Sequence, residues 1–230
     1  MISHGQTDTG RAFDFGKRAQ DYDRWYTTPE GQAHDRVQKA DVRHFLGPAT
    51  SGMRLLDIGC GTGHWSGFFA SLGYNVAGVD VAPEMIQVAH NRTMPGVATQ
   101  VADARFLPFQ DASFDVAATM TVLEFLPEPA TALREMARCI KMRGRMLIGC
   151  LNRFASINQQ RLAEGREPYI SGQLFSPDEL AALLRPFGKV RMIASEPGNG
   201  RNETASKAFR KAGPSRTELT GPLIIAEVQR

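Results

Sequence analysis

Two hydrophobic periods alternate through the middle of the chain. Short runs of apolar and β-branched residues predict strands at Arg54–Ile58, Asn75–Val79, Val97–Val101, Phe114–Met120 and Arg145–Cys150. Helical runs separate them at His64–Leu72, Pro83–Asn91 and Pro129–Lys141, the last with Leu133, Met136, Ala137 and Ile140 on one stripe. This alternation predicts an α/β fold, a mainly parallel sheet with helices on both faces. Upstream, Gly16–Leu46 is helical in pattern. It is interrupted near Thr27, Thr28 and Pro29, because proline starts a helix but disrupts its interior, and Gly47-Pro48 stops it.

Beyond residue 151 the rhythm changes. Residues 152–175 are polar and weakly periodic. Ser176-Pro177-Asp178-Glu179 is a capping box that opens a helix ending near Pro186. Strands are predicted at Lys189–Ala194 and Leu223–Val228, and the Gly-, Pro-, Asn- and Arg-rich stretch between them reads as a long loop or partly helical flap. The first sixteen residues are polar and read as frayed.

Composition narrows the class. The chain has 230 residues, 42% hydrophobic and 22% charged, enough to bury one sizeable core. One domain over residues 1–230 is expected, with residues 1–46 as a helical extension. No apolar run reaches the length of a membrane-spanning helix, and the polar start holds no secretory signal, so the expected compartment is the cytoplasm. Cys60, Cys139 and Cys150 form no CxxC pair, and His4, His34, His44 and His90 lack ligand spacing, so no metal is expected. The net charge of +3 is too small to imply nucleic acid, although residues 151–230 carry the basic excess.

The candidate chemistry starts at Leu55-Leu56-Asp57-Ile58-Gly59-Cys60-Gly61-Thr62-Gly63, where a buried strand runs into a glycine turn ahead of a helix. Glycines allow a sharp turn and close approach of a ligand, and the helix start offers free N–H groups. Such a loop also serves as a plain structural turn. A dinucleotide site needs G-x-G-x-x-G; counting from Gly59 or Gly61, the third position falls on His64 or Ser66, so both registers fail. Asp80 ends the second strand. It is placed to accept from both hydroxyls of a ribose, or to cap the helix at Pro83, and the two roles are compatible. Asp103-Ala104 follows the third strand and Phe114-Asp115 opens the fourth.

The G-x-G-x-G spacing, with Asp80, Asp103 and Phe114-Asp115 in this order, resembles the class I S-adenosylmethionine-dependent methyltransferases over roughly residues 52–151. The branch it is most similar to carries the LDIGCGTG loop and acts on small molecules. The resemblance implies a seven-stranded sheet whose last strand is inserted antiparallel between the fifth and sixth. It also implies S-adenosylmethionine as cofactor and S-adenosylhomocysteine as product. Asp57, Gly59, Cys60, Gly61 and Gly63 would hold the amino-acid end and ribose, and Asp80, with Val81 and Met85 beside it, the ribose and ring. Asp103 would bond the adenine amino group and Ala104 contact the ring, while Thr119, Met120 and Thr121 would lie beneath the cofactor. The chain departs from the pattern at Ala82, where Ser or Thr usually caps the helix. It departs again at Glu124-Phe125, where many relatives carry His-His or Glu-His.

The acceptor side is less legible. In relatives a YDxW segment closes over the cofactor, which makes Tyr22 and Trp25 the lid candidates; packing of the helix onto the sheet is the bland alternative. Asn152 and Arg153 open one candidate substrate insertion, residues 152–175. Residues 195–221, with Asn199, Arg201 and Asn202, form the other. Arg153, Arg161, Arg166, Arg201, Lys207, Arg210, Lys211 and Arg216 form either a basic mouth for an anionic substrate or solvated loops. His64 either donates to the cofactor or serves a cap or surface role. No general base stands out. The expected activity is methyl transfer to a small molecule; the rivals are methylation of RNA or protein, and cofactor binding without catalysis.

Overall fold

A computed structural model describes residues 13–196 and 219–230. Seven strands form one sheet: β1 Arg54–Ile58, β2 Asn75–Asp80, β3 Val97–Val101, β4 Phe114–Met120, β5 Ile140–Leu151, β6 Lys189–Ser195 and β7 Leu223–Gln229. Their spatial order is β3-β2-β1-β4-β5-β7-β6. Only β7 runs against its neighbours, β5 and β6. The order reverses between β1 and β4, and in open α/β sheets that switch point is where ligands bind.

Among the described residues six α-helices accompany the sheet: α1 Pro29–Leu46, α2 His64–Ser71, α3 Pro83–Asn91, α4 Pro129–Cys139, α5 Ser156–Ala163 and α6 Pro177–Leu184. Leu55 and Leu56 point to opposite faces, as the two-residue period of a strand requires. Leu55 joins Val42, Phe45, Trp65 and Phe69 in the α1–α2 core. Leu56 joins Leu133, Met136, Leu180 and Leu184 in the α4–α6 core. No helix among the described residues is long and apolar enough to cross a membrane.

The structure revises the predicted elements in three places. Gly16–Arg18 and Tyr22–Thr27 are short 3-10 turns, and the α-helix begins only at Pro29, where the Thr28 hydroxyl accepts from the Gly31 N–H. Strand β5 starts at Ile140 instead of Arg145, because Arg143 at φ 65° bulges out and the chain resumes the ladder on both sides. The polar stretch after β5 contains α5, whose buried residues are Asn158 and Arg161. A helix that buries polar side chains leaves no apolar stripe to detect. The frayed start and the 195–221 flap fall largely outside the described residues.

Candidate active site

The C-terminal ends of β1, β2 and β4, with the turn after β3, open into a cavity of about 490 Å³. That lies in the roughly 300–1,000 Å³ range of small-ligand sites. Its floor is Ile58, Asp80, Ala102 and Met120, and the glycine loop forms one wall. Gly59 and Cys60 both donate their N–H to the Val79 carbonyl, at 2.7 and 2.9 Å, which pins the loop onto β2. Gly59 sits at φ 71°, and a Cβ there would lie 2.3 Å from Val122, so no other residue fits. Gly61, at φ 52°, has the opposite surroundings. A Cβ would meet only the Met85 sulfur, at 3.9 Å, and would stand in the cavity itself.

Asp80 joins the floor to that wall. Its Oδ2 accepts from Gly61 N–H and its Oδ1 from Ala82 N–H, both at 2.9 Å. The carboxylate therefore ties the loop to the start of α3, whose N-cap, Ala82, has no side chain to offer. Burial raises the Asp80 pKa above the ordinary carboxylate value even though these N–H donors pull it down. Each oxygen keeps a lone pair for a further donor.

Of the residues singled out from sequence, Gly59, Gly61, Asp80, Val81, Met85, Asp103, Ala104, Met120 and Tyr22 line the cavity, as does Thr121. The others lie behind it or away from it. Asp57 is buried and accepts from the Ser66 hydroxyl at 2.6 Å, bracing β1 against α2. Burial first, then the Asp80 charge, push it up to about 7. The Cys60 thiol is buried against Gly78, and burial pushes its pKa far up. Gly63 is the N-cap of α2, and Thr119 is buried in β4 with its hydroxyl unpartnered. Trp25 packs against Tyr26 and His34 instead of over the cavity.

Asn152 and Arg153 are structural in their contacts. Asn152 is fully buried, and its Nδ2 donates to the carbonyls of Leu219 and Gly221 at 2.9 Å, holding the entry to β7. Arg153 donates to Glu179 of the α6 capping box at 2.8 Å. Nor do the described arginines form a basic mouth. Arg153, Arg161 and Arg166 pair with Glu179, Glu30 and Glu164, and none lines the cavity. Arg201, Lys207, Arg210, Lys211, Arg216, Asn199 and Asn202 lie outside the described residues. His64 meets Asp35 and Lys39 and stacks on Tyr26, away from the lining.

The cavity also has walls that sequence reasoning missed, Phe13, Phe15, Glu84, Arg105 and Val122, and it takes in Phe125, which the sequence marked only as a departure from the family pattern. Phe15 packs edge-on against Phe125, with ring centroids 4.9 Å apart, so the N-terminal segment roofs the site. Two phenylalanines in a polar run are costly to expose, and that was the available signal. Arg105 engages both carboxylate oxygens of Asp103, through Nε and at 2.7 Å through a terminal nitrogen. That contact holds Asp103 below the usual carboxylate range. Tyr22 is driven up to about 12, by burial first and then by the charges of Asp80 and Asp23, so it stays a neutral phenol. Among the described residues no cluster of His, Cys, Asp and Glu could hold a metal ion.

A family model described as a methyltransferase domain matches residues 56–148. The ubiquinone biosynthesis O-methyltransferase of Xanthomonas axonopodis pv. citri is 30% identical over 227 residues, covering 89% of this chain and 93% of that relative. The chain belongs to the class I S-adenosylmethionine-dependent methyltransferases. The fold agrees. A methyltransferase from Thermotoga maritima, described as a possible histamine N-methyltransferase, superposes with a TM-score of 0.69 at 24% identity, covering 94% of this chain and 97% of that one. The phosphoethanolamine N-methyltransferase 2 of Haemonchus contortus, in complex with S-adenosylmethionine, gives a TM-score of 0.62 at 17% identity, covering 95% of this chain and 60% of that one. S-adenosylmethionine fits this methyltransferase cavity chemically. A bare backbone at Gly61 admits a ligand where any Cβ would stand, and the adjoining carboxylate has acceptor capacity left.

Proposed function

We propose that this methyltransferase acts on a small molecule held between the glycine loop and the N-terminal roof. The observation that carries the reading is that roof. Phe13, Phe15 and Tyr22 lie over the strand ends and leave a cavity of about 490 Å³, the scale of a cofactor with a small partner. A likeness to a ubiquinone biosynthesis O-methyltransferase supports it.

In this reading Asp80 takes the two ribose hydroxyls, and the Gly59–Gly63 loop takes the amino-acid end. Ala104 and Val81 flank the adenine. Asp103 reaches the adenine amino group only with lone pairs that Arg105 leaves free. S-adenosylmethionine, when bound, supplies an electrophilic methyl on a good leaving group. The residues of this chain therefore have mainly to align the acceptor and exclude water. Tyr22 presents a phenol that donates a hydrogen bond and does not abstract protons near neutral pH. Acceptors that are nucleophilic without deprotonation suit such a site.

The test is transfer of labelled methyl from S-adenosylmethionine to a panel of amines, phenols and thiols, set beside total RNA and unfolded protein. Label in the small-molecule arm is expected. Label confined to RNA or protein would overturn the reading.

A further inference from the structure

The roof over the cavity has little secondary structure of its own. Residues 13–27 hold only two 3-10 turns and add no strand to the sheet, so side-chain ties must seat them. The ties converge on elements that build the cofactor cavity. One residue joins three of them. Asp23 Oδ1 accepts from the Thr62 hydroxyl at 2.9 Å, and Oδ2 accepts from the Arg92 guanidinium. Thr62 is the buried residue between Gly61 and Gly63 of the loop, and Arg92 caps the C-terminal end of α3, whose first turn lines the cavity. Asp23 is itself the neighbour of Tyr22, which also lines it.

We propose that Asp23 is a positioning residue that latches the N-terminal roof onto the glycine loop and thereby sets how fast S-adenosylmethionine and its product leave. The inference rests on the reading of the cavity as the cofactor site. Lifting the roof must separate Asp23 from both partners. It would exchange a hydrogen bond to a carboxylate and an ion pair for contacts with water, and that exchange is what opening costs. The latch is therefore a single point at which roof, loop and α3 open together. Two further contacts follow the same line. The Tyr26 ring stacks on His64, the first residue of α2, with centroids 3.7 Å apart and planes within 9°. Phe15 meets Phe125 across the opening. Neither touches the glycine loop itself.

The two tryptophans of the chain flank the latch, Trp25 two residues from Asp23 and Trp65 three residues from Thr62. Stopped-flow tryptophan fluorescence therefore reads the release of S-adenosylhomocysteine directly. For Asp23→Ala, and for Thr62→Val, which keeps the shape and removes the donor, release is expected to quicken about tenfold, the scale of one lost hydrogen bond to a charged group. Asp23→Ala leaves the buried Thr62 hydroxyl without an acceptor and is expected to lower the ligand-free melting temperature by a few degrees. Thr62→Val leaves no such group and is expected to keep it while still quickening release, which a merely structural role would not allow. Release rates within twofold of the parent would overturn the latch and leave the cofactor reading standing. Should the parent fail to bind S-adenosylhomocysteine, the cofactor reading fails. Amide exchange over residues 13–28 of the ligand-free protein then decides the latch, with faster exchange in Asp23→Ala supporting it and unchanged exchange overturning it.

Discussion

Glu124 sits 2% exposed beneath the roof, with Oε1 accepting from the Leu151 N–H and Oε2 unpartnered. Burial pushes it from 4.5 up to about 7. A carboxyl whose pKa is raised by folding stabilises the native state relative to higher pH. The unfolded chain releases the proton near 4.5 and the native chain holds it until about 7, so stability falls across that window. Asp57, also raised to about 7, adds a fall of the same sign. Glu124→Gln removes one of the two, on the order of 3 kcal/mol between those limits. Thermal melts at pH 4.5 and pH 8 should show the variant gaining on the parent at pH 8 and not at pH 4.5. An equal difference at both would exclude the titration. Glu124 thus braces β5 through the Leu151 N–H.

Elements built from apolar periodicity were legible; those that bury polar groups were not. Strand β1, the glycine turn and Asp80 lie within a short span, and local spacing alone placed them. Helix α5 was hidden because its inward side chains are Asn158 and Arg161, satisfied by the carbonyls of Asn152 and Pro222 and by Glu30. Asn152 and Arg153 looked like substrate contacts because they follow a strand end. Their partners, Leu219, Gly221 and Glu179, are remote in sequence. Asn152→Ala leaves two buried carbonyls without donors and should cost about 2 kcal/mol in denaturant unfolding. Its affinity for S-adenosylhomocysteine should stay within a few-fold. A large loss of affinity with normal stability would return Asn152 to the site.

Over the whole molecule, the switch point between β1 and β4 sets where the cavity opens, and the N-terminal segment sets its depth. The sheet order was readable only through family resemblance, since periodicity does not tell strand neighbours apart. The roof was readable in part, at Tyr22; Phe13 and Phe15 were lost in a polar run. We propose that this cavity is the S-adenosylmethionine site and that Asp80 anchors the cofactor there. Calorimetric titration of the protein with S-adenosylmethionine and S-adenosylhomocysteine, beside NAD and the Asp80→Ala variant, tests it most directly. Both sulfur ligands should bind and NAD should not. The variant should lose on the order of a hundredfold in affinity, as expected for two hydrogen bonds to a charged group at about 1.5 kcal/mol each. Binding by NAD alone, or an Asp80→Ala variant that is folded and binds as tightly as the parent, would contradict the account.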